Sequence, residues 1–142
     1  MRRTMATYLD LDRWPRRDAF DFFRGFDKPY FNVCTRLDVA RLKAALPALG
    51  GGGLSLACYF IALRLANEHR PFRLRIEGQR VRVYDEVHGS TTVLRSDGDS
   101  FFFAELEHTR DYAAFAARSG AAIEARRPRQ AIGDGPHRHL LE

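Results

Sequence analysis

The most constraining feature of this chain is an apolar run from Leu54 to Ala66, broken by Arg64 and followed by Glu68 and Pro71. It is helix-length but too short to span a bilayer. A helix that is apolar nearly all round must be covered on most of its surface. The run therefore predicts a buried helix, capped by Ser55, ending near Glu68, with other layers packed on it. The chain has 142 residues, enough for one domain with a core of its own.

The segments on either side supply those layers. Ala6–Leu11 reads as a short strand. Asp12 is placed to cap a helix beginning around Trp14, with Pro15 in its first turn. That helix carries Phe20, Phe22 and Phe23 and stops near Gly25. Tyr30–Leu37 is β-branched and aromatic and reads as a strand. Asp38 is placed to cap a helix through Leu46, with Val39, Leu42 and Leu46 at helical spacing. Gly50–Gly53 is a flexible break, and no Lys-Ser/Thr follows it to make a phosphate loop.

Beyond Pro71, Phe72–Ile76 and Arg80–Asp85 alternate apolar and charged residues about Glu77-Gly78-Gln79, the pattern of a hairpin with one dry face. Thr91–Arg95 and Ser100–Ala104 read as two more strands. Thr109 is placed to cap a helix to about Ala125, with Tyr112, Phe115, Ala116 and Ser119 on one side. The expected fold class is α/β (α+β), a layered mixed sheet with packed helices. Residues 1–125 form the expected domain. Residues 126–142, rich in Arg, Pro, Gly and His without apolar period, form an expected disordered tail.

Charge excludes little. The net charge is +5, carried almost wholly by arginines spread along the chain, since Lys28 and Lys43 are the only lysines. A basic balance suits nucleic acid, but no aromatic-basic platform stands out. Cys34 and Cys58 fit no metal or redox pattern and read as buried thiols of a reducing compartment. With no signal-like apolar run behind the N-terminus, the expectation is a cytoplasmic protein without membrane, nucleic-acid or metal partners.

Several short blocks resemble the chloramphenicol acetyltransferase family. Trp14-Pro15-Arg16-Arg17-Asp18-Ala19-Phe20, followed by Asp21-Phe22-Phe23, resembles its W-x-R-R-x-x-F box. Leu37-Asp38-Val39 resembles its L-D-I segment, and Ile61–Arg73 its buried helix and following Asn, His and Phe-Arg positions. Tyr84-Asp85-Glu86-Val87-His88 resembles W-D-S-V-H. Thr92-Val93 and Asp99-Ser100-Phe101 resemble its T-V and E-T-F positions. The match runs over about residues 5–120.

The resemblance implies a trimeric enzyme that moves acetyl from acetyl-CoA to a hydroxyl of chloramphenicol or a similar small acceptor, in sites between subunits. An imidazole acts as general base and a serine hydroxyl stabilises the oxyanion. It implies an acceptor wall of Phe22, Phe23, Thr92, Phe101 and Phe103. Phe103 stands where a small residue is common and Asp27 where an apolar one is usual, so the pocket is altered. It also implies that Arg16 matches an arginine paired with the aspartate of the catalytic motif; without that aspartate, Arg16 should find a local acid or stay wet.

The motif itself, H-H-x-x-x-D-G, does not occur. His69 and His88 match non-catalytic positions. His137-Arg138-His139 follows Gly133-Asp134-Gly135 in the wrong order, so no catalytic residue is assigned. Asp85 and Glu86, adjacent on an expected strand, should point to opposite faces. The six phenylalanines at 20, 22, 23 and 101–103 read equally as core. The leading expectation is an incomplete acetyltransferase fold, cut short before its catalytic segment and inactive alone. Two readings stay beside it: a non-catalytic subunit or apolar-ligand binder assembling with a full-length relative, and a nucleic-acid binder resting on charge.

Overall fold

The computed structural model describes residues 7–96 and 99–126. In chain order these form β1 (Thr7–Tyr8), α1 (Arg17–Phe23), α2 (Ala40–Ala45), α3 (Gly53–Glu68), a 3-10 turn (Arg70–Arg73), β2 (Leu74–Glu77), β3 (Arg80–Val83), β4 (Gly89–Leu94), β5 (Phe101–Leu106) and α4 (Tyr112–Arg126). This is the expected mixed α/β class. Its strand pairs are all antiparallel, in two sheets ordered β1-β3-β2 and β4-β5.

The core lies where α3, β5 and α4 meet. Leu63, Leu106 and Phe115 form its centre, with Leu56 and Phe60 packed against them. Phe60 meets Phe115 at 5.5 Å and Tyr112 at 5.4 Å between ring centroids. Strand alternation delivers β5 to this core: Phe102, Ala104 and Leu106 point in and the residues between them point out. Helical spacing does the same for Phe115, Ala116 and Ser119 of α4.

The glycine run is a packed joint rather than a loose break. All four glycines from Gly50 to Gly53 have φ between +75° and +98°, a backbone that β-carbons disfavour. A Cβ on Gly52 would lie 2.9 Å from that of Ala116, and the Tyr112 hydroxyl donates to the Gly51 carbonyl at 2.6 Å. The chain thus turns from α2 into α3 directly against α4.

The hairpin forms as expected but shifted. Phe72 belongs to the 3-10 turn, and β2 pairs with β3 from Leu74↔Val83 to Glu77↔Arg80. Gly78, at φ +61°, takes the first loop position, the type II′ pattern. On the face opposite buried Val81, Glu77 accepts from Tyr8 Oη (2.9 Å), Arg82 (3.1 Å) and Tyr84 Oη (3.4 Å). Arg80 lies over the Tyr8 ring and Arg82 over Tyr84. A small basic-aromatic face does therefore exist, assembled across strands.

Other expectations are corrected. Tyr30–Leu37 is not a strand: Tyr30, Phe31, Val33 and Leu37 are all exposed, because β-propensity becomes a strand only beside a pairing partner. Helix α3 is not buried all round. Ala57 and Leu63 are, but Tyr59, Ile61 and Leu65 are exposed, since only one side meets the core. Gly52, not Ser55, precedes it. Asp12 caps nothing and instead pairs with Arg17, while turns carry the chain to α1 at Arg17. Asp111 replaces Thr109 as the cap of α4, its carboxylate accepting the Ala114 N–H at 2.7 Å. Cys34 and Cys58 are exposed thiols. The expected tail from 127 onward, with His137 and His139, lies outside the described residues. No described helix is long and apolar enough to cross a membrane.

Candidate functional site

The acceptor-wall residues expected from sequence divide into two groups. The first lies on the outer face of β4-β5. Register pairs Thr92 with Phe103 and Leu94 with Phe101, so these four side chains share one face. Phe101 is 60% and Phe103 62% exposed, while Phe102 between them is 7%. The two outward rings meet edge-on at 5.8 Å. Thr92 is exposed beside them. The core reading therefore holds for Phe102 and fails for Phe101 and Phe103.

The second group sits on α1. Phe22, Phe23 and Phe26 form a triangle with centroid distances of 5.0, 5.2 and 5.4 Å. Both Phe22 and Phe23 are more than half exposed. Phe20 turns the other way, 5.9 Å from Trp14 and under the Arg24 guanidinium. The ring contacts of the α1 group are internal to it, as are those of Phe101 and Phe103. One copy of the chain presents two aromatic surfaces and brings neither against the other.

Arg16 immediately precedes α1 and is exposed, without a side-chain hydrogen bond or ion pair to any described residue. Its neighbour Arg17 holds both Asp12 and Asp21. Of the two outcomes expected for Arg16, the solvated one is what the fold gives.

One constellation escaped the sequence reading. His108 Nδ1 lies 2.6 Å from Glu86 Oε1, and His88 Nδ1 accepts the His108 N–H at 3.1 Å. The His108 ring holds the Glu86 carboxyl below the usual carboxylate range. Asp85 and Glu86 fall on the bend after β3 rather than on a strand, so both line one polar cleft of about 580 Å³. That corrects the opposite-face expectation. A 22-residue separation with no motif gave no signal for this pair.

A histidine oriented by a carboxylate is a base in waiting, but this cleft has little else to offer a reaction. Asn67 spends its amide on the Leu63 and Val87 carbonyls and the Val87 N–H. Arg64 is paired with Glu68 at 2.8 Å. The Asn67 amide is therefore spent, while the rest of the Arg64 guanidinium and Arg110, which also lines the cleft, are cations but form no preorganised pair of donors aimed at one point. The outer face of β4-β5, by contrast, is an exposed apolar surface.

Comparison with known proteins bears on the family and the fold. The profile of the chloramphenicol acetyltransferase family matches residues 5–132. Chloramphenicol acetyltransferase 2 of Escherichia coli is 28% identical over 111 residues, covering 78% of this chain and 52% of that relative. The chloramphenicol acetyltransferase of Campylobacter coli is 25% identical over 132 residues, 92% of this chain and 61% of its own length. A solved chloramphenicol acetyltransferase structure superposes with a TM-score of 0.76 at 26% identity, over 85% of this chain and 56% of that one. The chain thus spans between half and about three fifths of the length of these relatives. It belongs to the chloramphenicol acetyltransferase family.

Proposed function

We propose that these residues supply the acceptor-side wall of a chloramphenicol acetyltransferase-type site. The reaction served is transfer of acetyl from acetyl-CoA to a hydroxyl of chloramphenicol or a similar small acceptor. The observation that carries the reading is the face of β4-β5, where Thr92, Phe101 and Phe103 stand outward in ladder register, exposed among the described residues. In the family such a wall is completed by a neighbouring subunit, so assembly into a trimer belongs to the same reading, as does Phe22-Phe23 as the second part of the wall. Phe103 and Asp27 reshape that pocket, so the acceptor differs in shape from chloramphenicol or binds more loosely.

Chemistry needs an imidazole that takes the acceptor's hydroxyl proton as the oxygen attacks the thioester carbonyl. The H-H-x-x-x-D-G motif that carries it in the family is absent from the 142 residues. The His108–Glu86 pair is not read as its replacement, since it lies in a separate cleft away from the aromatic face. The purified chain, given acetyl-CoA and chloramphenicol, is expected to release no thiol above the uncatalysed rate. Turnover by the chain alone, abolished by His108→Ala, would show that it has its own base and overturn this assignment. Mixed with a full-length relative whose own wall is mutated, the chain is expected to restore some turnover. Failure to co-assemble would remove the wall-lending role.

A further inference from the structure

The link 84–88 carries the chain from β3 in the three-stranded sheet to β4 in the two-stranded one, and the link 107–111 carries it from β5 into α4. Two bonds tie these links together. Glu86 Oε1 meets the His108 ring at Nδ1 (2.6 Å), and the His108 backbone N–H donates to His88 Nδ1 (3.1 Å). The His108 side chain is only 11% exposed, so water competes little for its ring. Between Glu86 and His88, Val87 has a separate anchor on α3. Its N–H donates to Asn67 Oδ1 at 2.8 Å, and its carbonyl accepts from Asn67 Nδ2 at 2.9 Å. That anchor is an uncharged amide pair. The tie is not.

The protons of the tie follow from its donors. A backbone N–H can only donate, so His88 Nδ1 is bare and the bond requires a neutral His88 ring with its proton on Nε2. Glu86 is held below the usual carboxylate range, first by its bond to His108. It therefore stays an acceptor over the range in which imidazoles change charge, about pH 5–8, and His108 Nδ1 carries the proton between them. Proton uptake has opposite consequences at the two rings. His108 can take a second proton on Nε2, keep its bond to Glu86 and gain an opposite charge beside it. His88 can take one only on Nδ1, which turns the acceptor into a donor facing a donor.

Other charged groups surround the pair. Asp85, Arg110 and the Arg64–Glu68 pair of α3 share the His108 cleft. Glu105 of β5, Glu107 paired with Arg118 of α4, and Arg126 share the neighbouring hollow with His88. Asp111 caps α4. His88 and His108 are the imidazoles in this set. We infer that they form a proton-operated clasp between the two links, closed while the His88 ring is neutral and open when it is charged, with Val87 held on α3 in both states. Opening frees the start of β4 and the entry to α4 locally, without global unfolding, and is independent of acyl transfer.

The test is nuclear magnetic resonance of the nitrogen-15-labelled full chain across that pH range. At its alkaline end the ring nitrogens are expected to show a proton on Nε2 of His88 and on Nδ1 of His108. On acidification the His108 amide proton should move upfield in step with charging of the His88 ring, while the Val87 amide proton stays in place. His88→Asn keeps an acceptor near the same position without a titrating ring, and should abolish the step that follows His88. A proton on His88 Nδ1 at the alkaline end, an undiminished step in His88→Asn, or a step shared by Val87 would each overturn the clasp. If His88→Asn does not fold, the ring-proton positions and the Val87 comparison on the native chain still decide it.

Discussion

At the residue scale, Glu77 gathers two tyrosine hydroxyls and Arg82 onto one carboxylate. Its pKa is held below its ordinary value of 4.5, chiefly by the Tyr8 hydroxyl and then by Arg82. A carboxyl depressed in the folded state adds stability above its unfolded pKa, and this is lost as pH falls through the folded value. The melting temperature should therefore fall between about pH 5 and the folded pKa, and Glu77→Gln should flatten that limb. An unchanged acid profile in Glu77→Gln would show that the network is only a surface arrangement. Sequence alternation placed Glu77 beside the turn, but not its partners, because Tyr8 comes from a strand 69 residues away.

At the scale of elements, the junction between α2 and α3 is held by backbone that only glycine adopts cheaply. Gly52→Ala meets two obstacles, a φ of +85° and a Cβ 2.9 Å from that of Ala116. Gly53→Ala meets only a φ of +75°, with nothing within 4 Å. Backbone strain costs about 1–2 kcal/mol at either position, and the contact adds to it only at Gly52. Urea denaturation should rank Gly52→Ala below Gly53→Ala. Equal midpoints would mean that α4 yields freely at Ala116. The glycine run was visible in sequence as a break. Its role as a joint was not, because the surface it fits belongs to a helix about 60 residues further on.

At the scale of the whole molecule, the chain leaves a great deal of apolar surface open. Phe22, Phe23, Tyr30, Phe31, Phe101 and Phe103 are all at least half exposed. Contiguous apolar faces of this kind mark association surfaces. Sedimentation should show self-association at micromolar concentration, weakened by Phe101→Ser with Phe103→Ser. A chain that stays monomeric throughout would argue against subunit contact across the β4-β5 face. Strands β4 and β5 also pair with no third strand among the described residues, a further invitation to pairing.

Local chemistry decided which segments could become regular structure. Alternation located β2 and β3, and two further strands were legible at β4 and β5, though not which of Phe101, Phe102 and Phe103 turns inward; helical spacing located α4 and its buried stripe; the ordered blocks from Trp14 to Phe101 pointed to the family. These signals are carried by neighbours in sequence, so they survive without knowledge of packing. Tertiary structure alone decided which surfaces were covered. The same apolar character that predicted a strand at Tyr30–Leu37 and a fully buried α3 is left in solvent where no layer lies opposite. The His108–Glu86 pair and its bond to His88 likewise arise only when distant segments meet. Burial is a property of what stands across from a residue, and a single sequence records the residue but not its opposite.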